Sequence, residues 1–443
     1  MTKKKYNCFE SYEFFGEFFP SYDSNDGRFA GKIKYSPENG LQLEYCLSNS
    51  AAPTKCDKLF GFLNNGKKCT LVGQFDFDRG THYLGDVTVK SGLHGFYYLL
   101  IGAFVNDISN VKFANFTFNG MQEFIHPQGF ISQLKYQDEP ILTTKGNDWL
   151  IEVRNNATYS VVGDDIINLI HTRDDEAQEK LKLSLEKIKG EHPKLYFTLR
   201  KTFQYTFKYK SVLALNTDET LQNIIKIAAL FSILMARPKF PDEIEFYFDN
   251  EDSVQVLNSM CLERRTIKLA QQDISHMLMP LNWKQIDMES ALSRWFDLYD
   301  DFQVLSVSHQ YETGFKTLHY AHSDIILYST QLEAINADLG GKTGEKYTRP
   351  IETYASPELI LSLKKVFSKI NEEELGKNIS NLRNELAHVG RPKVMMKKLS
   401  IDDYVDVGRI FQLVVVSHLL AKLGVSTKYI YHYQNRLIPL DDS

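Results

Sequence analysis

Residues 379–392 read ISNLRNELAHVGRP, and within them a guanidinium, a carboxamide and an imidazole fall at Arg383, Asn384 and His388. Those types at that spacing suit acid–base chemistry on a phosphodiester. A histidine ordinarily titrates near pH 6.5 (about), so it can give or take a proton at neutral pH. A guanidinium fork donates to charge that builds on phosphorus. A plainer reading competes with this one. A cation in the last turn of a helix gains about 0.3–1 kcal/mol from the helix dipole, and Gly390 is an ordinary helix stop.

The pattern around the pair favours chemistry. Projected at about 100° per residue, Leu375, Ile379, Leu382 and Leu386 form one apolar stripe. Asn384 and His388, four apart, fall on the opposite side, with Arg383 on the flank. His388 is therefore expected to face solvent or a second subunit. Nowhere else in the chain does a His follow an Arg by five to seven residues. From Arg383 to Lys398, five bases (Arg383, Arg391, Lys393, Lys397 and Lys398) stand against Glu385 alone. Such a patch attracts phosphate even in a chain of net charge −5.

The elements that must hold this segment read as helices. Leu318, Ala321, Ile325, Tyr328, Leu332, Ile335 and Leu339 alternate spacings of three and four, the seam of a bundle helix. Ser356-Pro357 supplies an N-cap and first-turn signal for a helix striped by Leu359, Ile360, Leu363, Val366, Phe367 and Ile370. Residues 401–423 form a last long helix, apolar nearly all round at 410–420 and so expected at the centre. Residues 286–443 are read as one helical bundle.

Residues 1–285 have a different character. Up to about residue 165, segments such as GKIKYS, LQLEYCLS, KKCTLVGQFDF, YLGDVTVKS, GFYYLLIGAFV, VKFANFTFN and DWLIEVRNN alternate with Gly, Asn and Asp clusters. That is the pattern of a β-sandwich or barrel. Residues 166–285 read as α/β, with a charge-mixed helix at 175–190, the strand-like PKLYFTLRKTFQYTFKYKSVLAL, and a helix at 219–236 stopped by Pro238 and Pro241 before another strand. The fold class is α+β and multidomain.

Composition narrows the function. At 443 residues and 24% charged residues, the chain is an ordinary globular protein too long for one core. Its net acidity argues against a protein that coats polynucleotide. The five cysteines (Cys8, Cys46, Cys56, Cys69 and Cys261) include no C-x-x-C pair, so reduced thiols are expected rather than disulfides or a zinc site. Glu10, Glu13 and Glu17 interrupt any secretory leader. The apolar stretches 224–236 and 410–424 fall short of the roughly 20 residues that span a bilayer. A soluble, cytoplasmic protein that binds no membrane and no cofactor is expected.

Other motifs fail on context. GGKTGEKYT at 340–348 lacks the phosphate-loop glycine five residues before Gly341, where Asn336 stands, and a helix rather than a strand precedes it. His276, His309, His319, His322 and His418 make no metal-ligand spacing, and His418 reads as a satisfied core histidine. Asp76, Asp78, Asp86, Asp164 and Asp165 read as turn residues.

Arg383-Asn384 followed by His388, late in a helical bundle, resembles the R-x4–6-H signature of the HEPN ribonuclease superfamily. A long β-rich region, then LQNIIKIAALFSILMARPKF and a strand, then the bundle, resembles the ApeA-type HEPN proteins of antiphage defence. The resemblance implies a metal-independent endoribonuclease with His388 as acid/base, Arg383 as transition-state stabiliser and Asn384 as positioning group. It implies attack by the RNA 2′-hydroxyl to leave a 2′,3′-cyclic phosphate. Arg391, Lys393, Lys397 and Lys398 would hold the RNA, with tRNA among the candidate substrates and DNA excluded. It further implies a homodimer that brings two motifs to one cleft, and a β-rich region that senses a phage component and releases the nuclease in abortive infection. The competing expectation is a non-catalytic bundle that only dimerises while the β region binds a ligand or phage protein.

Overall fold

A computed structural model describes residues 5–21, 27–47, 55–85, 87–125, 139–161, 172–194, 198–248, 253–311, 318–370 and 374–438. Asp86, Asp164 and Asp165 lie outside the described residues. The strands are β1 (Tyr12–Phe19), β2 (Phe29–Ser36), β3 (Gly40–Leu47), β4 (Lys55–Leu63), β5 (Lys68–Asp76), β6 (Thr81–Leu84) and β7 (Val87–Phe96). They continue as β8 (Tyr98–Ile101), β9 (Phe113–Phe118), β10 (Leu142–Lys145), β11 (Trp149–Val161), β12 (Thr198–Ser211), β13 (Pro241–Tyr247) and β14 (Ser253–Asn258).

All fourteen join one antiparallel sheet in the order β10-β11-β12-β9-β13-β14-β8-β5-β4-β1-β2-β3-β7-β6. The expected β-rich region is thus one continuous sheet that curls back on itself, β7 meeting β5 and β14 meeting β3. Ladders between strands distant in the chain join its parts, with Phe116 opposite Ile244 and Leu71 opposite Leu99. Nor does the sheet divide near residue 165, because β11 pairs with β12 from Trp149–Ser211 to Val161–Thr198. Strand chemistry follows the side-chain alternation. In β3, Leu41, Leu43, Tyr45 and Leu47 point inward while Glu44 and Cys46 face solvent. The segment read as YLGDVTVKS is a hairpin instead, turning at Gly85 with φ 61°, a left-handed conformation that glycine adopts freely. At Gly73 a Cβ would lie 2.6 Å from the Phe96 Cβ, so only glycine lets the end of β7 come against β5.

The helices are α1 (Met121–Ile125), α2 (Asp175–Glu191), α3 (Thr217–Met235), α4 (Arg264–Gln271), α5 (Met288–Leu298) and α6 (Gln303–Tyr311). They continue as α7 (Leu318–Asp338), α8 (Thr348–Tyr354), α9 (Pro357–Phe367), α10 (Leu375–Ala387), α11 (Ile401–Lys422) and α12 (Thr427–Leu437). Helix α3 begins in a capping box between Asn216 and Glu219 and ends at Ala236 in the left-handed region. Every residue from Ile227 to Met235 is buried, because β9 and β13 cover one side while α5 and α6 cover the other. One apolar cluster therefore runs from sheet to bundle.

Helices α7 and α11 form the bundle's central pair. The seam residues Ala321, Ile325, Tyr328, Leu332 and Ile335 are all buried. Gly408 lets the two backbones approach, since a Cβ there would lie 3.3 Å from the Asp324 Cβ. A polar link crosses three helices: Gln412 Nε2 donates to Tyr328 Oη at 2.9 Å and to Ser308 Oγ at 3.2 Å. Ser356 caps α9 by accepting from the Leu359 N–H, as its sequence signal requires. The GKT segment is an ordered link between α7 and α8, where Asn336 Nδ2 donates to the Lys342 carbonyl. Helix α11 has 22 residues, long and apolar enough by those two measures to cross a membrane, and most of it is buried in the bundle.

His418 departs from its expected satisfied state. It is 4% exposed, its Nε2 lies 3.7 Å from Asp338 Oδ2, and its Nδ1 has no hydrogen-bond partner. Burial, then the neighbouring Lys422 charge, push the imidazole down to about 4 against the pull of Asp338. Between about pH 6.5 and 4 the unfolded chain then binds a proton that the folded chain does not, so stability falls as pH drops through that window.

Two outcomes are expected in urea unfolding. Leu332→Ala, at a fully buried seam position, destabilises by about 2–5 kcal/mol. His418→Leu flattens the loss of stability between about pH 6.5 and 4.

Candidate active site

Helix α10 carries the Arg–Asn–His motif, and its core face dictates its placement. Ile379 and Leu382 are fully buried, and the helix packs against α7 and α9. The helix ends at Ala387, one residue earlier than the motif's spacing implied. His388 is the C-cap, with extended backbone at φ −117° and ψ 119°, and its N–H donates to the Asn384 carbonyl at 3.1 Å. The Gly390 and Pro392 that follow explain the stop: glycine supplies the turn and proline bars a further helical turn. The expected stacking of Asn384 and His388 on one helical face is therefore replaced by a backbone link. The expected exposure is met, for His388 stands open to solvent beside the fully exposed Val389.

Arg383 sits half-buried on the flank. Its Nη1 donates to Asn384 Oδ1 at 3.4 Å, and its Nε is buried without a partner. The Arg383 charge also acts on Glu333 of α7, which accepts from the Tyr347 hydroxyl and from Lys346 Nζ at 2.9 Å. Burial alone would raise the Glu333 carboxyl. The two hydrogen bonds and the Lys346 and Arg383 charges outweigh it and hold that carboxyl below its usual range. The hydrogen bond to Asn384 is thus the contact that orients the half-buried guanidinium.

The residue that sequence reasoning missed is Glu385. It is 7% exposed, and its carboxylate accepts the Met395 N–H at 2.9 and 3.1 Å and the Met396 N–H at 3.1 Å. These bonds fold the segment after the helix back onto α10, where Met395 and Leu399 are buried and the Tyr404 hydroxyl donates to the Met396 carbonyl at 3.0 Å. A signal for this was present. Glu385 follows the buried Leu382 by three residues, beside the apolar stripe, where an unpaired acid would be costly.

The four basic candidates separate. Lys393 Nζ donates to the Glu385 carbonyl and, at 2.9 Å, to the His388 carbonyl. It is the cation that completes this helix end, so the plainer electrostatic reading belongs to Lys393 rather than to His388. Arg391, Lys397 and Lys398 are exposed on the same folded-back segment, and the Arg391 N–H reaches the His388 carbonyl at 3.4 Å. Three other histidines are engaged elsewhere. His276 pairs with Glu123 at 3.3 Å, His309 Nδ1 lies 3.0 Å from the Leu305 carbonyl, and the His322 ring meets Tyr404 edge-on. Among the described residues no three of His, Cys, Asp and Glu gather where a metal could be held.

An exposed imidazole, a half-buried guanidinium five residues before it and exposed bases after it are a combination suited to a phosphodiester. Comparison with known proteins bears on it directly. The family model described as ApeA N-terminal domain 1 matches residues 13–295, and that described as Apea-like HEPN matches residues 313–429, which include Arg383, Asn384 and His388. No curated protein and no solved structure matches the chain. HEPN domains are typically ribonucleases. With the first match spanning well over half its length and the second covering the bundle, the chain belongs to the ApeA-type HEPN family of antiphage proteins.

Proposed function

We propose that the chain is an endoribonuclease that works without a metal ion. The RNA 2′-hydroxyl attacks the adjacent phosphorus, the P–O5′ bond breaks, and the products carry a 2′,3′-cyclic phosphate and a 5′-hydroxyl. His388 moves the proton, taking it from the 2′-hydroxyl or delivering it to the leaving oxygen. Arg383 donates to the non-bridging oxygens as charge builds on them. Asn384 positions Arg383 through its side chain and His388 through its carbonyl. Arg391, Lys397 and Lys398 attract the backbone, and Lys393 holds the loop that presents His388.

The observation that carries this reading is the exposed His388 at the end of a helix buried on its other face, tied through Asn384 to Arg383. A helix end needing only a cation already has Lys393. Two bundles pair so that both motifs line one cleft. The β-rich region responds to a phage component and releases the nuclease on host RNA, tRNA being the leading candidate, in the cytoplasm. Growth then stops before the phage completes its cycle.

Purified full-length protein is incubated in EDTA with total bacterial RNA and matched DNA, with and without extract from phage-infected cells. RNA-only cleavage with cyclic-phosphate ends, lost by about 100-fold or more in His388→Ala, is the expected result. Equal cleavage by both proteins, or none under either condition, overturns the assignment. Arg383→Lys keeps the charge but loses the fork, and lowers kcat about 100-fold with binding little changed.

Stability and salt dependence separate the neighbours. Glu385→Ala strands buried backbone N–H groups and destabilises by on the order of 2 kcal/mol in urea. Alanine at Lys397 or Lys398 leaves stability unchanged and lowers the slope of log K against log salt for RNA by about 0.7 each.

A further inference from the structure

A cavity of about 720 Å³ opens between β9, β12 and β13, the short helix α1 and the loop after α4. Asp242 lines it, and a bulge sets its position. Phe118 pairs with Pro241 and Thr117 with Glu243, so Asp242 is the extra residue on β13. A bulge takes one side chain out of the ladder's alternation, and bulges recur beside functional sites for that reason. The main chain is anchored here, since the Asp242 carbonyl accepts the Cys8 N–H at 2.6 Å. The side chain is not. Among the described residues no hydrogen bond or ion pair reaches its carboxylate, and part of the residue stays accessible. Burial pushes this carboxyl up to about 7 against the pull of the Lys239 charge, with Glu243 adding to the rise. An enclosed acid without a partner, lining a cavity of this size, marks a binding site.

The lining defines what the occupant must offer. Glu123 and Asp273 join Asp242 there, and among the described residues the lining holds no Lys or Arg. Its histidine, His276, has Nδ1 3.3 Å from Glu123. Lys239 stays behind the wall, 2% exposed, with its Nζ donating to the Asn119 carbonyl at 2.7 Å. An anion would therefore meet three carboxylates. The donor set does not suit a metal ion either, since no three ligating groups gather among the described residues. An ammonium suits it, because it brings Asp242 the charged donor that the fold withholds. Asp273 is exposed while Asp242 is enclosed, so the carboxylates stand at two depths. A flexible chain with an ammonium at each end matches that arrangement.

We propose that this cavity binds a linear aliphatic polyamine, one ammonium on Asp242 and the next toward Asp273 and Glu123. The site adjoins the C-terminal end of α3. The Lys239 N–H donates to Ser232 Oγ of that helix at 2.9 Å, and a Cβ on Gly120 would lie 3.2 Å from Lys239 Nζ and 3.7 Å from Met235 Cε. The cavity wall and the end of the helix shared by sheet and bundle are thus one packed unit. This site is independent of the nuclease assignment and is tested without reference to cleavage.

Full-length protein is titrated with spermidine, with putrescine, and with butanediol as the uncharged control, by calorimetry and thermal unfolding. The titrations run at about pH 8, where Asp242 is ionised, and in about 0.15 M salt to screen surface charge. Both amines are expected to bind and raise Tm, spermidine more tightly, and butanediol to do neither. Asp242→Asn keeps the shape and removes the charge, and is expected to weaken spermidine by about tenfold or more. Asp273→Lys, at an exposed position of the lining, is expected to weaken it as well. Glu186→Gln, at an exposed acid of α2 outside the lining, is expected to leave it unchanged. If Asp242→Asn fails to fold, Asp273→Lys decides alone. Absence of heat and of Tm shift with both amines overturns the proposal. Binding undiminished by Asp242→Asn or by Asp273→Lys, butanediol equal to putrescine, or equal weakening by Glu186→Gln overturns it as well.

Discussion

The burial of α3 is the constraint on which the rest of the molecule depends. From Ile227 to Met235 this helix is apolar nearly all round, so that half is stable only when covered on every side. β9 and β13 cover one side, and α5 and α6 cover the other. Two of its backbone carbonyls also accept hydrogen bonds from the bundle. Trp295 Nε1 donates to the Lys226 carbonyl and the Tyr433 hydroxyl to the Ile233 carbonyl, each at 2.7 Å. Sheet and bundle consequently share one core, and a disturbance on either side of α3 is felt through a close-packed contact rather than across a linker.

At the other end of the bundle the same logic of buried contacts shapes the motif. The catalytic candidates lie on the side of α10 that packing leaves open, while the residues that hold them are turned inward. Glu385 gathers the backbone N–H groups of Met395 and Met396, and Lys393 gathers the carbonyls that the helix leaves unpaired. An acid at a buried helix position and a base beyond the helix end thereby fold a basic segment beside His388. Arg383 donates to the Asn384 side chain.

The apolar periodicities were legible because they are local. The alternation of three and four from Ala321 to Ile335 is the buried face of α7, and the Leu375–Leu386 stripe is the core side of α10. Strand segments showed in the same way where one face meets the core, as in β3. The strand Tyr12–Phe19 escaped notice because its aromatics sit among glutamates that face solvent, and a single segment does not reveal its partner.

Residue type and spacing alone determined the bundle helices, the exposure of His388 and the run of bases that follows it. Tertiary structure alone decided that fourteen strands make one sheet, that His388 caps its helix rather than extending it, and that Lys393 is a helix-end cation. It also decided that Glu385 is the clamp and that His418 is buried without a partner at Nδ1. The reason is physical. Periodicity is set over one or two turns of chain, so it is written in neighbouring residues. A hydrogen bond or a desolvated charge depends on which distant segments arrive beside it, and that is settled only when the whole core closes.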